Sequence, residues 1–214
     1  MKAKILVLFA LSLLFEIGGY SQSMDTIKLP APQTTGGKPL MEVLMQRKSS
    51  RSFSKQELSH QELSNLLWAG CGISRPESGK RTAPSAMNWQ EIDVYVSLKS
   101  GVYFYEAKTN SLVPVLAEDI RAKTGFQEFA ADAPVNLLFV ADYSKMVDRP
   151  EEMRNFYAGT DTGFISENIY LYCASANLGT VVRGSIDRDM IKKLLHLPEN
   201  KHVVFAQTVG YTAP

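Results

Sequence analysis

The stretch from Glu151 to Leu178 constrains the fold more than any other part of the chain. It holds no proline, and from Phe164 onward its apolar positions (Ile165, Ile169, Leu171, Tyr172, Ala174, Leu178) cover most of a helix surface. A helix apolar on most sides has to be surrounded, so the spacing predicts a central buried helix ending at Gly179, with the rest of the chain packed around it. The apolar run Val135 to Val140 is of strand length and predicts a strand buried on both faces. The 214 residues are 45% hydrophobic and 21% charged, which suits one domain with one substantial core. A formal net charge of +1 gives no field for gripping nucleic acid or an anionic membrane, so any local cluster of cations implies a small ligand.

The chain opens with Met1-Lys2-Ala3-Lys4, an apolar run Ile5 to Phe15 and the small-residue stretch Gly18 to Ser23. This is the layout of a secretory signal peptide over residues 1–23, with cleavage near Ser21 or Ser23. The run is too short to span a membrane. The mature protein is therefore expected to begin near Met24 and to be exported, to the periplasm. Residues 24–37, with Pro30, Pro32 and Gly36-Gly37, read as an extended arm without regular structure, and residues 38–214 as a single domain.

Pro39 precedes a helix with Leu40, Val43 and Leu44 on one face. Ser59-His60-Gln61-Glu62 is a capping box, and the helix it opens turns Leu63, Leu66, Leu67 and Ala69 inward before stopping at Gly70 and Gly72. Residues 74–80 read as a loop. Alternation predicts strands over 92–98, 101–106 and 112–115, a meander whose Tyr95, Tyr103, Phe104 and Tyr105 serve as sheet packing. Helical segments are expected over 117–123, 126–131 and 187–195, a short strand from Thr180, and a closing strand over 201–210. Cys71 and Cys173 lie in apolar helical contexts and read as unpaired buried thiols, although export permits a disulfide. His60, His196 and His202 are scattered, no Cys/His cluster has ligand spacing, and no metal is expected.

Three stretches carry candidate chemistry. Arg47-Lys48-Ser49-Ser50-Arg51-Ser52-Phe53 places two guanidiniums, an ammonium and three hydroxyls just after the Leu40 to Gln46 run. Planar charged forks and neutral hydroxyls suit a phosphate monoester, and the adjoining helix end is expected to add donors. Taken alone, such a stretch reads as solvated surface. Residues 84–88, Pro84-Ser85-Ala86-Met87-Asn88, put small and amide groups beside a proline, which suits a flat polar ligand but also an ordinary loop. Thr180-Val181-Val182-Arg183-Gly184-Ser185 ends a strand on a glycine that lets a ligand approach the backbone.

With these stretches in order, and with Asn168-Ile169-Tyr170-Leu171, Ala176-Asn177-Leu178-Gly179 and the closing Val209-Gly210-Tyr211, the chain resembles the nitroreductase family of flavoproteins. Within that family it is similar to the SagB-type subgroup, which includes the thiazole- and oxazole-forming peptide dehydrogenases. The resemblance implies an α+β fold with a mainly antiparallel central sheet flanked by helices, built as a homodimer that binds FMN in clefts at the subunit interface. Carried over by position, Arg47, Lys48, Ser49 and Arg51 would hold the phosphate, and Pro84, Ser85 and Asn88 would contact the ring and ribityl chain. The backbone amides of Arg183 and Gly184 would face the pyrimidine edge and N5. Chemistry would occur at the flavin, with no side-chain acid or base required for the redox step. Two departures stand out: the chain lacks the basic pair that many relatives carry after the closing Val-Gly, and Glu167 stands where relatives often have glutamine.

The implied function is an FMN-dependent oxidoreductase delivering electrons to a small acceptor such as a nitroaromatic or a quinone. An exported flavin-binding protein without turnover and a peptide-azoline dehydrogenase are the alternatives. The family implies a nicotinamide donor, NADH or NADPH, whereas export implies a donor outside the cytoplasm. No Gly-x-Gly-x-x-Gly dinucleotide fingerprint follows a strand.

Overall fold

The computed structural model describes residues 24–213, and the basic and apolar start read as an export signal lies outside the described residues. Met24 leads into β1 (Ile27–Lys28), which pairs antiparallel with Ser111 and Leu112. The N-terminal arm is thus neither free nor without regular structure. Leu29 is buried, Pro30 O accepts from Ser64 Oγ at 2.6 Å, and Gln33 N–H donates to Asn65 Oδ1 at 2.8 Å. These apolar and polar ties fasten the arm to the segment holding Ser64 and Asn65, and they are long-range contacts that no local pattern of prolines discloses.

Helix α1 (Leu40–Gln46) follows Pro39, but only Val43 is buried, and Leu40 and Leu44 stand in solvent. Helix α2 (His60–Cys71) begins as predicted: Ser59 Oγ accepts from Glu62 N–H while the Glu62 carboxylate accepts from Ser59 N–H. Two orphan donors of the first turn are satisfied reciprocally. Within residues 74–80, read as a loop, 76–79 do form a turn, but it closes a small hairpin of β2 (Ile73–Arg75) with β3 (Lys80–Arg81).

Strands β4 (Ile92–Leu98), β5 (Gly101–Glu106) and β6 (Ser111–Leu116) form the expected meander. Of the helical segment expected over 117–123 only a 3₁₀ turn at Arg121–Lys123 forms, and the next is the short α3 (Phe129–Asp132). Strand β7 (Val135–Asp142) is buried through Ala141 and lies between β4 and β9 (Lys201–Gly210). Helix α4 (Glu151–Ser175), β8 (Gly179–Arg183) and α5 (Arg188–Leu194) complete the chain. The main sheet runs β1-β6-β5-β4-β7-β9-β8, antiparallel at every pairing. The fold is therefore α+β, a seven-stranded antiparallel sheet with helices on its faces.

The alternation of β7 divides the core. Val135, Leu137, Phe139 and Ala141 face the layer that contains Leu66, Ile165 and Ile169, whereas Leu138 and Val140 face Ile191 and Leu195. Helix α4 buries Ala158, Ile165, Ile169 and Cys173 against the first layer, yet Met153, Phe156 and Phe164 remain exposed. The central helix is covered on one side by its own chain and left bare on part of the other. It also stops earlier than its apolar run implies, because the left-handed residue is Asn177 (φ 57°), and Gly179 opens β8 instead. A Cβ on Gly179 would lie 2.7 Å from Thr212 Cγ2 and 2.9 Å from Ser50 Cβ, so glycine is required here by close packing of three segments.

Cys71 and Cys173 are both free and buried, and burial pushes the Cys71 thiol up to about 11. Among the described residues no helix is long and apolar enough to cross a membrane.

Candidate flavin site

Arg47 is the C-cap of α1, and its N–H donates to Val43 O at 2.9 Å. The helix end beside the basic stretch is thus a C-terminus that presents carbonyl oxygens, so the donors expected from it are not supplied. What holds the stretch is β8 and α4. Ser50 N–H donates to Thr180 O at 2.9 Å, and Ser49 Oγ lies 3.0 Å from Tyr170 Oη, which also accepts from Val182 N–H at 3.0 Å. The Arg47 guanidinium lies 5.4 Å from the centre of the Tyr170 ring. Phe53 then anchors the segment by packing with Phe129, Ala133 and Val181 and by bridging to Thr212.

Among the described residues, Arg47, Lys48 and Arg51 make no ion pair with any carboxylate. Of the three, Lys48 lines a cavity of about 390 Å³ together with Gln46, Ser50, Tyr170, Asn177 and Thr180, and Arg47 and Arg51 flank Lys48 in sequence. That volume falls in the range of small-molecule sites. The donor set, guanidiniums and an ammonium with hydroxyls nearby, fits a phosphate monoester.

Residues Pro84, Ser85 and Asn88 belong to a tight turn with three non-glycine residues in the left-handed region: Met87 (φ 50°), Asn88 (φ 55°) and Gln90 (φ 49°). The Ser85 hydroxyl accepts from Gln90 N–H at 3.0 Å, and Ser85 O accepts from Asn88 N–H at 3.1 Å. Ser85 therefore builds the turn with groups that sequence reading assigned to a ligand. Pro84, Met87 and Asn88 stay exposed. Ala86 N–H, buried behind them, donates to Asp161 Oδ2 at 2.8 Å.

Asp161 and Tyr170 lie on the same helix nine residues apart, about 13 Å along its axis. The single chain thus brings the basic stretch to Tyr170 and β8, and the 84–88 turn to Asp161, on separate parts of α4.

At the end of β8 the Arg183 side chain turns away from solvent into the sheet. It is 4% exposed. Its Nε donates to Thr208 Oγ1 at 2.9 Å, Nη1 to Thr124 O at 2.9 Å and Nη2 to Asn136 Oδ1 at 2.9 Å, so every partner is neutral. Burial lowers its pKa to about 10, which leaves it charged at neutral pH. Gly184 is exposed, and a Cβ there would meet only Phe205, at 3.4 Å. The protomer's own packing leaves room for a side chain, so glycine at this position is not demanded by the fold and keeps the backbone open to a ligand.

Sequence reading missed Tyr170 as the hub of the phosphate side, Asp161 as the anchor of the 84–88 turn, and the buried polar group Thr124, Asn136 and Thr208. One signal was available: Asn136 interrupts an otherwise apolar strand, and a buried amide needs a partner.

Comparison with known proteins identifies the family. A model of the nitroreductase family matches residues 44–211. A protein of Methanocaldococcus jannaschii that carries a provisional nitroreductase name is 31% identical over 186 residues, which are 82% of this chain and 92% of that protein. A crystal structure from Ralstonia eutropha, also provisionally named a nitroreductase, is 42% identical with a TM-score of 0.85, over 88% of this chain and 90% of the other. The Escherichia coli microcin synthetase complex superposes with a TM-score of 0.68 over 97% of this chain and 85% of its own, and at 16% identity this shows the shared fold alone. The match extends from α1 to the residue after β9 and includes all three candidate stretches, and the chain belongs to the nitroreductase family, whose members are oxidoreductases that work through bound FMN.

Proposed function

We propose that two copies of the chain complete each FMN cleft and that the protein passes electrons through the flavin to a small flat acceptor, a nitroaromatic or a quinone. The observation that carries this reading is the separation of the two site halves in one protomer. The unpaired cations of residues 47–51 and the exposed 84–88 turn attach to α4 at Tyr170 and Asp161, about 13 Å apart along its axis, and bare apolar side chains flank both. Leu40, Met41, Leu44 and Met45 stand beside the first, and Phe156 and Phe164 share α4 with Asp161, which holds the second. Apolar groups so grouped favour an interface, and a second copy would supply the missing half.

In this cleft Arg47, Lys48 and Arg51 hold the phosphate, with Ser49 kept in place by Tyr170. Pro84 and Asn88, shaped by Ser85, border the ring, and the amides of Arg183 and Gly184 approach its pyrimidine edge. When bound, FMN supplies hydride and electron chemistry at N5. The protein's part is to bind, orient and tune. The export signal read in residues 1–23 further supports a donor outside the cytoplasm, such as a membrane quinol or another exported redox protein.

Purified protein beginning at Met24 is expected to be yellow with a flavin spectrum, and to turn over a nitroaromatic or quinone once reduced. A colourless protein that takes up no FMN would refute the flavin site. Bound flavin that no acceptor reoxidises would leave a binding protein without turnover.

A further inference from the structure

Directly behind the 84–88 turn Asp161, its anchor, adjoins a second carboxyl group, Glu91, that neither the fold nor the flavin reading uses. Glu91 is fully buried and follows Gln90, the last residue of the turn, in sequence. Asp161, from α4, is 2% exposed. Neither Glu91 oxygen has a hydrogen-bond partner among the described residues, and Glu91 and Asp161 line one small gap in which their carboxyl groups adjoin. Two carboxylates cannot hydrogen-bond to each other, whereas a carboxylic acid and a carboxylate can, so this contact is a bond only when one proton lies within the pair.

The pair closes the base of the turn. Asp161 Oδ2 accepts from Ala86 N–H at 2.8 Å near the start of the turn, and Glu91 is covalently joined to its end. Between these points the backbone holds Met87, Asn88 and Gln90 in the left-handed region. A conformation that ordinary residues disfavour persists where its surroundings over-determine it.

The charged neighbours are committed elsewhere. Lys145, from the turn after β7, donates to Gln90 O at 3.0 Å and pairs with Asp93 at 3.3 Å. Arg81, from β3, donates to Gln90 Oε1 at 2.9 Å and to Cys71 O at 3.1 Å. Cys71, at the end of α2, is a neutral thiol, and Ile92 and Ile165 fill the remaining walls. The gap among these residues is about 20 Å³, room for one water and too small to hydrate a second charge.

We propose that Glu91 and Asp161 are positioning residues for the cofactor turn, one shared proton holding its base closed and the loss of that proton opening it and releasing FMN. The inference rests on the reading that residues 84–88 contact the flavin. Burial and the adjoining Asp161 push the Glu91 carboxyl up to about 7, so the proton leaves within the range a cell or its surroundings reach. Below that point the pair carries one negative charge and is bonded. Above it, two buried charges face each other and separate the ends of the turn.

The test is FMN affinity, measured by quenching of flavin fluorescence between pH 6.5 and 9, for the wild type, Glu91→Gln and Asp161→Asn. The wild type is expected to weaken about tenfold between pH 7 and pH 9, as the binding-competent fraction falls. Both variants are expected to stay flat, because an amide reproduces the bond with no proton to lose. The FMN phosphate loses its second proton near pH 6 and changes little above pH 7, so it cannot produce the loss. A wild-type affinity independent of pH, or the same slope in both variants, would overturn the proposal. A merely structural role would change the pH dependence of apoprotein melting while leaving FMN affinity flat. Failure of the wild type to bind FMN at any pH would instead overturn the flavin reading.

Discussion

Among the described residues Arg47 and Arg51 are cations without a carboxylate partner, and Arg183 is a buried cation with neutral partners alone. The first two are available to a ligand, and the third is part of the scaffold. Replacing Arg47 and Arg51 together by alanine should cost FMN affinity on the order of 2 to 5 kcal/mol, as for a dianion stripped of its partners. Circular dichroism should remain native while the protein purifies colourless. Arg183→Met should instead lower stability by at least about 3 kcal/mol, because Thr124, Asn136 and Thr208 lose their donors inside the sheet. Thermal melting of the apoprotein measures it. Glu91 gives a pH effect of defined sign. Its carboxyl is raised from 4.5 to about 7 on folding, so the folded state holds the extra proton and stability falls as pH rises through that window. The loss is up to about 1.4 kcal/mol per pH unit, and Glu91→Gln should abolish the slope in denaturant titrations. The basic stretch was legible because its residue types are themselves the signal. The direction of Arg183 was not, since a strand side chain follows the pleat and its neighbours rather than its own chemistry.

At the scale of elements, the capping box of α2 and the alternation of β4, β5 and β9 were readable because each depends on residues a few positions apart. The hairpin of β2 and β3 and the strand in the arm were not. The hairpin lacks alternation or a two-residue turn signal and is closed by Thr82 N–H donating to Gly72 O at 2.9 Å, while the arm strand depends on a distant segment, Ile27 pairing with Leu112. Helix α1 shows how periodicity misleads when a molecule has more than one kind of neighbour. The sequence put Leu40, Val43 and Leu44 on one face, yet only Val43 is buried, and Met41 and Met45 are 72% and 87% exposed. Changing both to glutamate should leave the melting temperature of the protomer nearly unchanged, as surface substitutions usually do. If α1 forms part of the interface, the same variant should shift sedimentation towards monomer and weaken FMN binding. An unaltered dimer would place the interface elsewhere.

For the whole molecule, a cleft made by two chains couples assembly to cofactor binding, since a ligand that binds only the dimer stabilises it by mass action. Sedimentation of the apoprotein and of the FMN-loaded protein should therefore show tighter association when flavin is bound. The electron donor is decided at this scale too. Rapid mixing of the FMN-loaded protein with NADH, NADPH and a quinol analogue should show fast reduction by the quinol and slow reduction by either nicotinamide. Fast reduction that saturates at micromolar nicotinamide would contradict an extracytoplasmic donor and the export reading together.

The sequence by itself determined the central helix, the capping box of α2 and the alternating strands, because these rest on residue type and on spacings of two to four positions, while the α+β class and the order of the candidate flavin stretches came through the family resemblance those residues carry. Tertiary structure decided which side of α4 is covered, which cations are left unpaired, and that Glu91 meets Asp161 behind the 84–88 turn. It also showed that the basic stretch and that turn attach to separate parts of α4. Burial, charge pairing and proton sharing depend on atoms that approach from distant points along the backbone, and no local pattern specifies which of those atoms will be neighbours.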